Sequence, residues 1–163
     1  MSDTYRVTIM VLDADAVRAE TLLEAFNGNA YDQGGFDGVQ TFSYEACNYG
    51  SLSCEKDLKA EGIPYSKYCE GGADYEAFEQ HFRIAKDGTR IEKEWPTGHE
   101  NLLSKTAVRE ALEEVGIHGI FDLLAKHDAE HYLIPWDEQD EIVRSLGLRE
   151  GREEEEEEKE DEE

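Results

Sequence analysis

The chain ends in a stretch that offers nothing to bury. Residues 150–163 hold eleven acids, two bases and a glycine, with six consecutive glutamates from Glu153 to Glu158. Like charges at this density repel one another, and no apolar side chain is present to offset the entropy of ordering them. The segment is therefore expected to be a disordered poly-acidic tail. Residues 1–149 remain to form a core, which is one compact domain's worth of sequence.

The tail alone does not make the chain acidic. Asp and Glu number 40 against 16 Lys and Arg, a net charge of −24, and without the tail the balance is still 29 against 14. Duplex DNA carries one charge per ~1.7 Å of axis, so this total corresponds to roughly 40 Å of duplex. A compact body of this length has a diameter of about 38 Å. Such a charge repels a phosphate backbone, so direct nucleic-acid binding is not expected. No apolar run approaches the ~18 residues of a membrane span, and the N-terminus has no basic start followed by an apolar stretch. Three cysteines, an odd number, fit a reducing cytoplasm.

Periodicity supplies the elements. Residues 5–12 (YRVTIMVL) read as a buried strand. Asp13 or Asp15 caps a helix whose Ala19, Leu22, Leu23 and Phe26 share one face, stopped at Asn27-Gly28. The Gly-rich residues 27–38 read as a loop, and Val39–Cys47 alternates as a half-buried strand. Ser53 is the expected cap of a short helix carrying Leu58 and ending at Gly62. Residues 63–68 look extended, with Pro64 confining them to an edge or a strand start. Asp87-Gly88 joins strands 81–85 and 90–95 as a hairpin, with Phe82, Ile84, Ile91 and Trp95 expected on one inner face. Thr97–Glu100 fits a capping box. Beyond it, Val108, Ala111, Leu112 and Val115 form one helical stripe, and Ile117, Ile120, Phe121 and Leu124 a second. Asp137 is read as the cap of a last helix through Ile142, Val143 and Leu146. This order predicts an α+β fold: a mainly antiparallel sheet of about five strands with helices on one face, and C-terminal helices over 96–149.

Few patterns carry chemistry. His127-Asp128-Ala129-Glu130-His131 matches H-x-x-E-H, a zinc-ligand pattern that puts two imidazoles one helical turn apart with Glu130 available as a base. Its place just before Pro135 also fits a solvated helix end, where His meets the negative end of the dipole. Cys47, Cys54 and Cys69 with His81 would make a Cys₃His set, but the cysteines lack the short spacing of zinc knuckles. The acids and glycines of 32–38 lack the alternating ligands of a calcium loop. No phosphate-binding glycine motif occurs.

Three readings of function follow. The first is an acidic, non-enzymatic protein that occupies a basic, nucleic-acid-binding surface of a partner, its carboxylates standing in for phosphates. In size and charge the chain is similar to the DNA-mimicking inhibitors that phages and mobile elements direct against restriction. Its contact residues would be Glu110, Glu113 and Glu114 on one helix, Asp137, Glu138, Asp140 and Glu141 on another, and Glu153, Glu154, Glu155 and Glu156 in the tail. The second is a small accessory protein whose acidity serves solubility or a high-salt cytoplasm. The third is a zinc hydrolase using His127, Glu130 and His131. The first and second require no cofactor.

Overall fold

The computed structural model describes residues 5–27, 30, 32–46, 50–72, 76–98 and 102–149. Cys47, Gly28, His99, Glu100 and residues 150–163 lie outside the described residues, as does the side chain of Phe26.

The strands are β1 (Tyr5–Leu12), β2 (Asp32–Phe36), β3 (Val39–Ala46), β4 (Tyr65–Cys69), β5 (Phe78–Ile84) and β6 (Arg90–Pro96). They form one antiparallel sheet in the order β2-β3-β1-β4-β5-β6. The helices are α1 (Ala16–Asn27), α2 (Glu55–Ala60), α3 (Lys105–Val115), α4 (Ile117–His131) and α5 (Trp136–Ser145). The fold is thus α+β, as the pattern predicts. Among the described residues no helix is long and apolar enough to cross a membrane.

β1, β-branched and apolar, lies inside the sheet between β3 and β4. Val7, Ile9 and Val11 face one side and are fully buried, and the register sets Tyr44, Phe42, Cys69 and Tyr65 beside them. Ala19 and Leu23 of α1, Leu58 of α2, and Ile142 and Val143 of α5 complete this core. The opposite face carries a polar row. Ser66, His81 and Lys93 lie in register across β4, β5 and β6, next to Arg83 and Trp95. There Lys93 Nζ donates to the carbonyls of Ala129, Glu130 and Tyr132, the unsatisfied end of α4. Arg83 Nε donates to Ile134 O in the α4–α5 connection.

Several expectations are corrected. Residues 32–36 are an edge strand rather than loop, closed onto β3 by Asp37-Gly38, which are both at positive φ and form the two-residue turn of a type I′ hairpin between the facing Phe36 and Val39. Among the described residues the sheet therefore has six strands. For Pro64 the strand-start alternative holds: β4 begins at Tyr65, directly after it, so the strand is internal and no ladder hydrogen bond is lost. Phe82 and Ile84 pair with Glu92 and Arg90, so Ile91 and Trp95 stand on the other face, opposite Arg83 and Glu79. The hairpin loop sets that register. Asp13 and Asp15 form a 3-10 turn before α1, and Asp15 accepts from Arg18 and Arg149. Cys54, not Ser53, precedes α2. Ser104 caps α3, its Oγ accepting from Ala107 N at 3.4 Å, well beyond Thr97. Pro135 precedes α5, leaving Asp137 inside its first turn. Of the α3 and α4 stripes, Leu112, Val115, Ile117 and Phe121 are all exposed.

Gln139 fixes where α5 lies. Ala85 N donates to Thr89 O, so by alternation the Ile84–Arg90 pair is the non-bonded kind and the backbone groups of Ile84 point away from β6. β4 has ended there. The buried Gln139 carboxamide takes the missing strand's place, accepting from Ile84 N at 3.0 Å and donating to Ile84 O at 3.1 Å.

Candidate interaction surface

Seating α5 in this way brings its first turn against two other segments. The end of β1 and the following 3-10 turn supply Leu12, Asp13 and Ala14, and the β2–β3 turn supplies Asp37 and Gly38. With Trp136, Asp137 and Asp140 they line a cleft of about 320 Å³. The first two segments are tied by Asp13 N donating to Gly38 O at 2.9 Å. Trp136 is held from beneath: the Arg83 guanidinium lies 3.9 Å from its ring centre and is itself anchored on Tyr65 O, Phe82 O and Ser66 Oγ. Burial lowers the Arg83 pKa to about 10.

The four carboxylates of the cleft are not equivalent. Asp140 is bound by Arg144, and its Oδ1 accepts from Arg149 Nη1 at 2.7 Å. The Arg149 bond holds its pKa below the usual carboxylate range. Asp13, Asp37 and Asp137 have no ion pair among the described residues. They gather uncompensated charge beside an aromatic ring, a setting that suits a Lys or Arg side chain.

Arg149 also joins this end of the molecule to the acidic run. Its Nε and Nη2 clamp the fully buried Asp15 carboxylate at 3.0 and 2.8 Å. In sequence, the run of acids begins with the next residue, Glu150.

Of the contact residues expected from sequence, Asp137 lies in the cleft, and Asp140 lies there but is neutralised. Glu138 pairs with Lys86 at 3.0 Å. Glu141 is exposed, without an ion pair among the described residues. Glu110, Glu113 and Glu114 are exposed on α3, outside the cleft. Glu153, Glu154, Glu155 and Glu156 fall outside the described residues. Asp13 and Asp37 were legible only as a helix cap and a loop acid, and nothing in the sequence marked Trp136.

The metal pattern is only half assembled. His127 and His131 do share a helix face, but as stacked rings with centres 4.2 Å apart, and His131 Nδ1 is engaged by His127 O at 2.9 Å. Glu130 turns to Lys126. Among the described residues no three His, Cys, Asp or Glu side chains group to hold a metal ion. Cys69 and His81 lie on opposite faces of the sheet by their register.

One buried chain has catalytic residue types. Arg83 Nη2 donates to Ser66 Oγ, and that hydroxyl lies 2.8 Å from His81 Nδ1. His81 Nε2 stands 3.3 Å from a Glu79 carboxylate oxygen without a hydrogen bond to it. Burial lowers the His81 pKa to about 4, so the ring is neutral and the contact is no ion pair at pH 7. Ser66 and His81 are 2% and 1% exposed, which closes Oγ to a substrate carbonyl. The chain is a structural network.

Comparison with protein-family models, curated proteins and solved structures finds no match.

Proposed function

We propose that this chain is a non-enzymatic acidic protein that occupies a basic, nucleic-acid-binding surface of a partner, in the manner of a DNA mimic. One observation carries the reading. Three carboxylates, Asp13, Asp37 and Asp137, line a cleft with Trp136 and have no ion pair among the described residues. A partner's Lys or Arg entering the cleft stacks on the indole and meets carboxylates that have no ion pair among the described residues to give up. Each exposed pair contributes little alone. Their sum, on a chain of charge −24, steers a cationic surface into place and makes the encounter salt-dependent.

The test is affinity capture by the full chain and by its Asp13→Asn/Asp37→Asn/Asp137→Asn variant. Asn keeps the shape of Asp and tolerates the left-handed backbone of residue 37. The wild-type chain should capture a nucleic-acid-binding protein at roughly 50 mM salt and release it by roughly 200 mM, and the variant should capture far less. Capture indifferent to both salt and the substitutions overturns the proposal.

A further inference from the structure

Four large apolar side chains stand in solvent around the corner between α3 and α4. Leu112 is 51% exposed, Val115 61%, Ile117 62% and Phe121 61%. Their position follows from how the corner is made. Gly116, at φ +79, turns the chain in one residue. The helices then meet through small residues: a Cβ on Gly119 would lie 2.6 Å from the Ala111 carbonyl oxygen. A contact this close is filled by Ala and Gly, and the larger side chains are left outside it. Leu112 and Val115 are one turn apart on α3, and Ile117, Phe121 and Leu124 recur at i, i+4, i+7 on α4. Val115 and Ile117 flank Gly116, so the two stripes meet at the corner. Single exposed apolar residues are ordinary, but two meeting stripes mark an interaction surface.

Charge identifies the occupant. Residues 110–125 contain Glu110, Glu113, Glu114 and Asp122 and no Lys or Arg. A second copy would bring the same carboxylates against these, with −24 facing −24. The chain's own residues 150–163 have no apolar side chain to offer. We propose that the α3–α4 corner docks a cationic amphipathic helix of the partner, its apolar ridge against Leu112, Val115, Ile117 and Phe121 and its Lys or Arg against the flanking acids. This rests on the reading of a basic partner and adds a second, apolar contact to it.

The probe is a labelled Leu/Lys peptide of about 18 residues with Leu at i, i+3, i+4, i+7, beside a scrambled isomer of equal charge. Fluorescence anisotropy measures both against the full chain and against its Ile117→Ser/Phe121→Ser variant. Both substituted positions are solvent-exposed, and a melting curve checks that the fold is kept. The wild-type chain should bind the amphipathic peptide about tenfold more tightly than the scrambled one, and the variant should lose about that factor for the amphipathic peptide alone. Equal binding of the two peptides, or a variant that binds like wild type, overturns the docking site. If both peptides bind equally and salt releases both, the charge reading survives without it. If neither binds at low salt, both readings fall. Self-association of the chain that Ile117→Ser/Phe121→Ser abolishes also overturns the proposal, because the corner would then belong to a second copy.

Discussion

Replacing Gln139 by Leu should destabilise the protein far more than an exchange of similar-sized side chains normally does. The carboxamide is fully buried and makes both hydrogen bonds of Ile84 beyond the end of β4. Leucine fills most of the space but can neither donate nor accept, so one N–H and one C=O are left buried without partners. An orphaned buried group costs about 1–3 kcal/mol. Two of them, partly relieved by local adjustment, give an expected loss of about 3 kcal/mol. For a domain of this size each kcal/mol lowers the melting temperature by about 2–4 °C, so the shift should be about 6–12 °C. Urea denaturation should show a lower midpoint with an unchanged slope. Hydrogen exchange should show the Ile84 amide losing its protection. A loss under about 1 kcal/mol, with the Ile84 amide still protected, would refute the argument. It would mean that water or a shifted β4 satisfies Ile84 and that Gln139 does not seat α5.

Three further outcomes follow from other contacts. His81 is buried neutral with its pKa lowered to about 4, below the unfolded value of about 6.5. The unfolded chain therefore binds the extra proton first, and stability should fall by about 3 kcal/mol as pH drops from about 6.5 to about 4. Urea midpoints against pH should show this slope in the wild type and not in His81→Gln, and an equal slope in both sinks the assignment. Arg149→Ala leaves the buried Asp15 with only Arg18 at 3.3 Å and should cost about 3 kcal/mol at pH 7. Because Arg149 holds the Asp140 pKa below its usual range, Asp140 contributes above pH ~4. The gap to wild type should narrow as pH falls below that, and a gap that widens contradicts the pairing. Gly119→Ala drives a Cβ onto the Ala111 carbonyl, with an expected cost of about 1–3 kcal/mol. Limited proteolysis should find α3 opened while the sheet amides stay protected; uniform loss of protection would show that the hairpin is not a separable contact.

What was legible in the sequence was what periodicity alone decides. β1 is a β-branched apolar run, β3 alternates, and α1 repeats Ala19, Leu22 and Leu23 on one face, so their type and extent are plain. β2 was hidden because Asp32-Gln33-Gly34-Gly35 has no strand formers and becomes a strand only by pairing with β3. Yet Asp37-Gly38 is the same hairpin signal that located Asp87-Gly88. In α3 and α4 the period gives helices correctly but not what covers them. The helices meet closely at Ala111 and Gly119, and Leu112, Val115, Ile117 and Phe121 are left exposed. At the cleft, Asp137 and Asp140 were visible as acids, but their roles divide: one is uncompensated and the other pins Arg149. The convergence of Asp13, Asp37 and Trp136 depends on contacts between segments distant in sequence, which no local pattern encodes.

We propose that carboxylates of this chain take the place of phosphates on a basic partner. The measurement that tests it most directly is a titration of the purified chain into a captured partner already bound to duplex DNA, followed by sedimentation or gel shift. Mutually exclusive binding is expected: free duplex is released as the chain is added, no ternary species forms, and the Asp13→Asn/Asp37→Asn/Asp137→Asn variant displaces DNA only at higher concentration. A stable complex of chain, partner and duplex would contradict the account.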